Sequence, residues 1–170
     1  MGLFKFKGEN KDAFGLGFFF SGIGDILLEL PFDGLFEAGM AAFILAHCFY
    51  IALFLARPKL TPVRGLVMGG MVVFTLWFGA FLFPGLKGMM VPIYVYLGVI
   101  LCMGISACLG RDNHWMVIAG AIVFIISDSL IAWTRFVTPI PHSSLWVMLT
   151  YYLAQAMLAL GVFRSYPNIS

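Results

Sequence analysis

Six apolar stretches, roughly 13–30, 36–56, 63–83, 89–109, 115–134 and 144–163, divide the chain. Each is close to the ~20 residues an α-helix needs to cross a bilayer at 1.5 Å per residue. Short segments rich in turn and interface residues part them: Leu30-Pro31-Phe32-Asp33-Gly34, Arg57-Pro58-Lys59-Leu60-Thr61-Pro62, Pro84-Gly85-Leu86-Lys87-Gly88, Gly110-Arg111-Asp112-Asn113 and Thr138-Pro139-Ile140-Pro141-His142. Connections this short make neighbouring helices antiparallel. The expected fold is therefore an all-α integral membrane protein, a polytopic bundle of about six transmembrane helices. A polar tail is expected at 1–12, a single helical domain at 13–164 and a second tail at 165–170.

Composition agrees with a bilayer as solvent. Of the 170 residues, 62% are hydrophobic and 11% charged, against about 45–50% and about 25% in soluble domains. A net charge of +2 with scattered basic residues argues against a nucleic-acid partner. Residues 1–12 are polar and mixed in charge, unlike a cleavable leader. Cys48, Cys102 and Cys108 lie in or beside apolar runs and read as small apolar fillers rather than a disulfide framework.

Orientation follows from the basic residues. With both termini on one side, that side holds Lys5, Lys7, Lys11, Arg57, Lys59, Arg64, Arg111 and Arg164, and the other only Lys87 and Arg135. Both termini are expected in the cytoplasm. A bacterial inner membrane and an endoplasmic reticulum membrane suit the same spans. Gly15, Gly17, Gly22, Gly24, Gly98 and Gly104 fall inside spans, where small residues let helix backbones approach.

An ionised carboxylate within the bilayer is costly, by at least ~2.5 kcal/mol at its centre, so Asp25 and Asp128 call for a reason. In the expected topology both lie in the outer half, and His47 and Tyr151 enter from the same side at comparable depth. Ser21 and Asp25 share a helix face, as do Tyr151 and Gln155, and His47 and Tyr50 are one turn apart. These stripes are expected to turn inward and meet in one pocket. Ser127, beside Asp128, points about 100° away around its helix. A weak internal echo links Phe20-Ser21-Gly22-Ile23-Gly24-Asp25 with Phe124-Ile125-Ile126-Ser127-Asp128, each followed by a span with polar groups near its middle. Such an echo suits a duplicated helical unit.

The chemistry open to this set is narrow. A carboxylic acid in apolar surroundings can keep its proton near neutral pH, and two carboxyl groups in unequal surroundings can divide acid and base roles. That suits acid-catalysed cleavage of ethers and acetals. No metal or other cofactor is called for: His114 and His142 lie at loop edges, and no His-Glu-x-x-His or Cys-x-x-Cys spacing exists. Nucleophilic serine chemistry lacks its Gly-x-Ser-x-Gly element. The other readings the residues leave open are a helix-gluing hydrogen-bond network, or a proton-coupled carrier or lipid-binding protein without hydrolase activity.

Five motifs, in order, carry a more specific resemblance: Phe20-Ser21-x-x-Gly24-Asp25, Ala46-His47-x-x-Tyr50, Phe124-Ile125-Ile126-Ser127-Asp128, Pro139-x-Pro141 and Thr150-Tyr151-Tyr152-Leu153-Ala154-Gln155. From about Gly15 to Val162 the chain resembles the YhhN family, the membrane lysoplasmalogenases. The resemblance implies hydrolysis of the vinyl ether bond of lysoplasmalogens to a fatty aldehyde and a glycerophospho-base. It implies Asp25 and Asp128 as catalytic residues, with His47, Tyr151 and Gln155 at matching positions. The implied partners are a lysophospholipid substrate and the bilayer. By position, Arg135, two turns beyond Asp128 on the same face and toward the outer surface, can meet the substrate phosphate or simply snorkel to lipid headgroups. Family members typically have about eight spans. With only residues 1–14 ahead of the first motif, this chain is expected to lack the first pair, and a homodimer is one way to complete the bundle.

Overall fold

The computed structural model describes residues 9–30, 32, 34–55 and 58–166. Most of the N-terminal tail, Pro31 and Asp33 of the first turn, Arg57 of the second and residues 167–170 lie outside the described residues. Six helices account for nearly all of the rest: α1 (Glu9–Glu29), α2 (Leu35–Phe54), α3 (Pro62–Leu82), α4 (Met90–Leu109), α5 (Trp115–Phe136) and α6 (Ser143–Ser165). Two single 3-10 turns, Phe83–Gly85 and Lys87–Met89, join α3 to α4. The chain is thus an all-α polytopic membrane protein. Helices α2 to α6 are each long and apolar enough to cross a bilayer. In α1 charges stand at both ends and at Asp25, so only the stretch between Asp12 and Asp25 is free of charge.

The helix ends follow local chemistry. Thr61 caps α3 by accepting from the Arg64 amide at 3.4 Å, and Pro62 occupies the first helical position, where no amide hydrogen is needed. The His114 ring caps α5 by accepting from the Met116 amide at 3.3 Å. His142 leads into α6 with a left-handed backbone, φ 55°.

Helix α1 packs along α2, and α5 along α6; these two hairpins carry the echoed motifs. Helix α4 sits between them, touching α2, α3 and α5, and α3 flanks α4 and α5 from outside. Phe14 against Phe163 (6.3 Å between centroids) and Tyr152 on Asp25 bring α1 to α6. Helices α1, α2, α4, α5 and α6 therefore form a ring. Into it point Phe43, Tyr50, Phe54, Met103, Phe124 and Leu158, all at most 2% exposed. Outward-facing Val63, Leu66, Val73, Leu76 and Val91 are more than half exposed, as lipid-facing side chains are.

Small residues set the closest approaches. A Cβ on Gly161 would stand 2.6 Å from the Val117 nitrogen, and one on Gly120 2.9 Å from that of Leu158, so α5 and α6 touch backbone to backbone. Gly17 seats the Tyr50 ring, Gly24 that of Phe43, and Gly104 the Met71 side chain. Gly15, Gly22 and Gly98, expected to do the same, face open space, because they lie on helix faces that no neighbour covers. Cys108 is a buried filler as expected, whereas Cys48 and Cys102 are exposed on the outer surface of the bundle.

Candidate active site

Of the two intramembrane carboxyl groups, Asp128 is the more enclosed, its side chain 10% exposed. It lies eight residues before the end of α5, about 12 Å in from that end. The Tyr96 hydroxyl, about 9 Å into α4, donates to Asp128 Oδ2. His47, fully buried on α2, brings Nε2 to 3.9 Å from the same oxygen and 3.4 Å from the Tyr96 oxygen. Tyr96 has one hydrogen, which Asp128 takes. His47 therefore presents Nε2–H to the Tyr96 oxygen, and Nδ1 is left as an acceptor. That Nδ1 is buried with no partner among the described residues. Phe43 and Phe124 hold the ring, Phe124 edge-on at 5.0 Å.

Asp128 forms part of the wall of a narrow apolar cleft with a cavity volume of about 40 Å³. Phe36, Phe74, Phe78, Leu97 and Ile125 are among its apolar walls, and Tyr96, Thr75 and Ser129 supply the other polar atoms. Phe36, near the start of α2, also carries the Arg135 guanidinium, 4.1 Å above its ring centroid. The cation thus sits beside a wall residue of the cleft, at the end of the bundle nearer Asp128.

Asp25 has a different neighbourhood. It is half-buried, about 6 Å from the end of α1, and accepts from the exposed Tyr152 hydroxyl at 3.4 Å. It does not line the cleft. The single pocket expected for Asp25, Asp128, His47 and Tyr151 is thus resolved into two neighbourhoods. Between them runs a buried polar chain. Tyr50 donates to Gln155 Oε1 at 3.1 Å, and Gln155 Nε2 donates to the Tyr151 oxygen at 3.4 Å. Tyr151, wedged against Phe43 and Phe124, is within electrostatic reach of both Asp25 and Asp128. Ser21, fully buried on α1, has its hydroxyl beside that of Tyr50, at the edge of hydrogen-bond geometry.

Two other residues take defined places. Ser127 turns away from the cleft and donates to the Val147 carbonyl at 3.3 Å, tying α5 to α6. Tyr96 went unmarked in the sequence. The signal available was a tyrosine hydroxyl nearly two turns inside a mainly apolar span, deeper than Tyr94 and too deep to be an interfacial anchor.

The comparisons with known proteins converge. The model of the YhhN family matches residues 4–162. Lysoplasmalogenase TMEM86A of Bos taurus is 36% identical over 159 residues, covering 88% of this chain and 65% of its own length. Lysoplasmalogenase TMEM86B of Homo sapiens is 34% identical over 152 residues, covering 85% and 61%. A lysoplasmalogenase of Mycobacterium bovis is 30% identical over 158 residues, covering 87% and 60%. The chain thus spans somewhat less than two thirds of the length of these relatives. No solved structure matches it significantly.

Proposed function

The chain belongs to the YhhN family, and from that premise we propose that it hydrolyses the vinyl ether bond of lysoplasmalogens. The observation that carries the reading is a carboxyl group, hydrogen-bonded by Tyr96 and flanked by His47, set in the wall of an apolar cleft inside the membrane. A lysoplasmalogen needs this layout: a hydrocarbon slot, an acid beside the reacting alkene and a cation for the phosphate. In this reading both termini face the cytoplasm and the cleft opens in the opposite half of the bilayer.

Asp128, in its protonated form, delivers a proton to the β-carbon of the alkenyl ether. The alkene π pair forms the new C–H bond, and the ether oxygen shares the positive charge left on the α-carbon. Asp25, ionised on the far side of Tyr151, opposes that charge. Water attacks the α-carbon and gives its proton to the Asp128 carboxylate, which restores the acid and produces a hemiacetal. Cleavage of the bond to the glyceryl oxygen, with transfer of the hemiacetal hydroxyl proton to that oxygen, releases the aldehyde and the glycerophospho-base. Arg135 holds the phosphate; Tyr50, Tyr151 and Gln155 keep the helices and the Asp25 side in register.

The direct test is aldehyde release from a lysoplasmalogen by purified protein, with the saturated 1-O-alkyl analogue as control. Release from the alkenyl lipid alone is expected. Proton-dependent flux of lysophospholipid across liposomes with no aldehyde formed would replace the hydrolase reading with the carrier reading. Tyr96→Phe removes the hydrogen bond to Asp128 without opening a cavity. Turnover is expected to fall about tenfold or more, because this bond strengthens as Asp128 loses its proton, and hydrogen bonds to charged groups are worth about 1.5–3 kcal/mol. A turnover number equal to that of the parent chain would show Tyr96 to be a packing residue only.

A further inference from the structure

The cleft at Asp128 has a neighbour. A second apolar groove runs between α3 and α5, lined by Val67, Gly70, Met71, Phe74, Ile122 and Ile126, with Ile125 at its edge. Phe74 and Ile125 line both hollows, so the groove adjoins the cleft across these two side chains. Its residues lie progressively farther from the Arg135 end: Thr75 and Phe78 border the cleft, while Gly70 and Val67 come one to two turns deeper on α3. Gly70 and Ile126 are exposed, so the groove opens sideways toward lipid.

We propose that this α3–α5 groove is the seat of the substrate's hydrocarbon chain and that Gly70 sets the length of chain it accepts. The proposal rests on the hydrolase reading for the identity of the lipid, and for its place on the shared Phe74 and Ile125 wall, whose side chains need only turn aside to join the two hollows. The order of groups along the bundle matches a single-chain ether lipid. Arg135 stands about 10 Å from Asp128 along α5, and Ile122 about 9 Å from it in the opposite direction. Phosphate, reacting bond and hydrocarbon then fall on Arg135, Asp128 and the groove in turn. Gly70 is the open position in this path: a Cβ added there meets nothing within 4 Å. A larger side chain would fill the groove without disturbing the helices. Gly69 beside it also has nothing within 4 Å of an added Cβ but does not line the groove, so it supplies the control.

The experiment uses the full chain in detergent, with Gly70→Leu compared against Gly69→Leu. Two measurements are made on lipids of graded chain length: aldehyde release from lysoplasmalogens, and thermal shift with saturated 1-O-alkyl lysophospholipids, which cannot be cleaved by protonation of an alkene. In Gly70→Leu, kcat/KM for long-chain substrates is expected to fall about tenfold or more, because a displaced chain misplaces the reacting bond. Short-chain substrates should keep the parent value, and Gly69→Leu should match the parent chain throughout. The thermal shift from long-chain analogues should be lost in Gly70→Leu alone. If the shift becomes length-selective in Gly70→Leu while no form releases aldehyde, the groove stands and the hydrolase reading fails. If aldehyde is released but Gly70→Leu leaves both length profiles unchanged, the groove assignment is overturned and the hydrolase reading stands.

Discussion

Asp128→Asn is expected to reduce aldehyde release by two to four orders of magnitude, on the order of the 10²–10⁴-fold that a positioned general acid contributes. Asparagine matches aspartate in size, and its carbonyl oxygen can still accept the hydrogen bond from Tyr96. What it lacks is an acidic proton to place on the alkene carbon. The loss should therefore fall on kcat, with KM little changed, because the cleft walls at Phe36, Phe74 and Phe78 remain. The midpoint of thermal unfolding in detergent should stay near that of the parent chain. Asp25→Asn is expected to cost about 10²-fold, the scale of removing one electrostatic stabiliser of a developing charge. Turnover within a few-fold of the parent in both variants, from protein that unfolds normally, would sink the carboxylate mechanism.

The two aspartates differ in surroundings, and in the proposed mechanism that difference divides their roles. Asp128 faces hydrocarbon on most sides, and its hydrogen-bonded neighbours are a tyrosine and a histidine on two other helices. Asp25 is half-buried near a helix end, with a partly exposed tyrosine as its partner. A group meant to give up a proton to carbon gains from exclusion of competing water, whereas an ionised counter-charge tolerates a wetter place. Tyr151 links the two. It packs on the phenylalanines that hold His47, and it feels both carboxyl groups.

How much of this was legible from residues alone depended on what each residue's period encodes. Span lengths are set by the bilayer, so the expected stretches and the observed helices agree to within a few residues at most ends. Intramembrane charge is rare enough that Asp128 and Asp25 announce themselves. Spacing along one helix also reads well: Tyr151 and Gln155 do meet, and Gln155 meets Tyr50 across the bundle. Periodicity does not encode how a helix is rotated about its axis relative to its neighbours. For that reason Asp25 and Asp128 could be assigned similar depth yet not be separated into two neighbourhoods. Tyr96 was illegible for a related reason. In an apolar span a tyrosine reads as bulk, and only the approach of α4 to both α2 and α5 makes its hydroxyl a partner for His47 and Asp128. Arg64 was counted only as one more basic residue near a membrane surface. Its planar fork of donors has a second use that no one-dimensional pattern displays.

Arg64→Ala is expected to lower stability by about 2–4 kcal/mol while leaving the chemistry of the surviving folded protein intact. Arg64 stands in the first turn of α3, and its guanidinium gathers carbonyls from the α4–α5 junction. Nη1 donates to Cys108 at 3.1 Å and to Gly110, and Nη2 donates to Asn113 at 2.9 Å. The carbonyls ending a helix have no intrahelical donor, and a cation there also meets the negative end of the helix dipole. Asn113, buried in the same knot, donates to the carbonyls of Phe54 and Ala107 at 3.2 and 3.0 Å, and its oxygen accepts from Tyr166 at 3.3 Å. The ends of α2 and α4, the start of α3 and the residue following α6 are thereby fastened at one point. Gly110 belongs to it because a Cβ there would lie 2.1 Å from both Asn113 Nδ2 and the Phe54 carbonyl oxygen. Alanine at position 64 leaves three carbonyls without this donor, at about 1–3 kcal/mol for each that stays buried, with water relieving those at the rim. Lysine keeps the charge but offers a point donor in place of the fork, so Arg64→Lys should recover about half of the loss. Thermal unfolding in detergent measures both variants. Aldehyde release per folded molecule separates this role from catalysis, because Arg64 lies eleven residues before Thr75 on α3, about 16 Å from the level of the cleft. Unfolding of Arg64→Ala at the parent temperature would mean that the knot orders these helix ends without holding the bundle together.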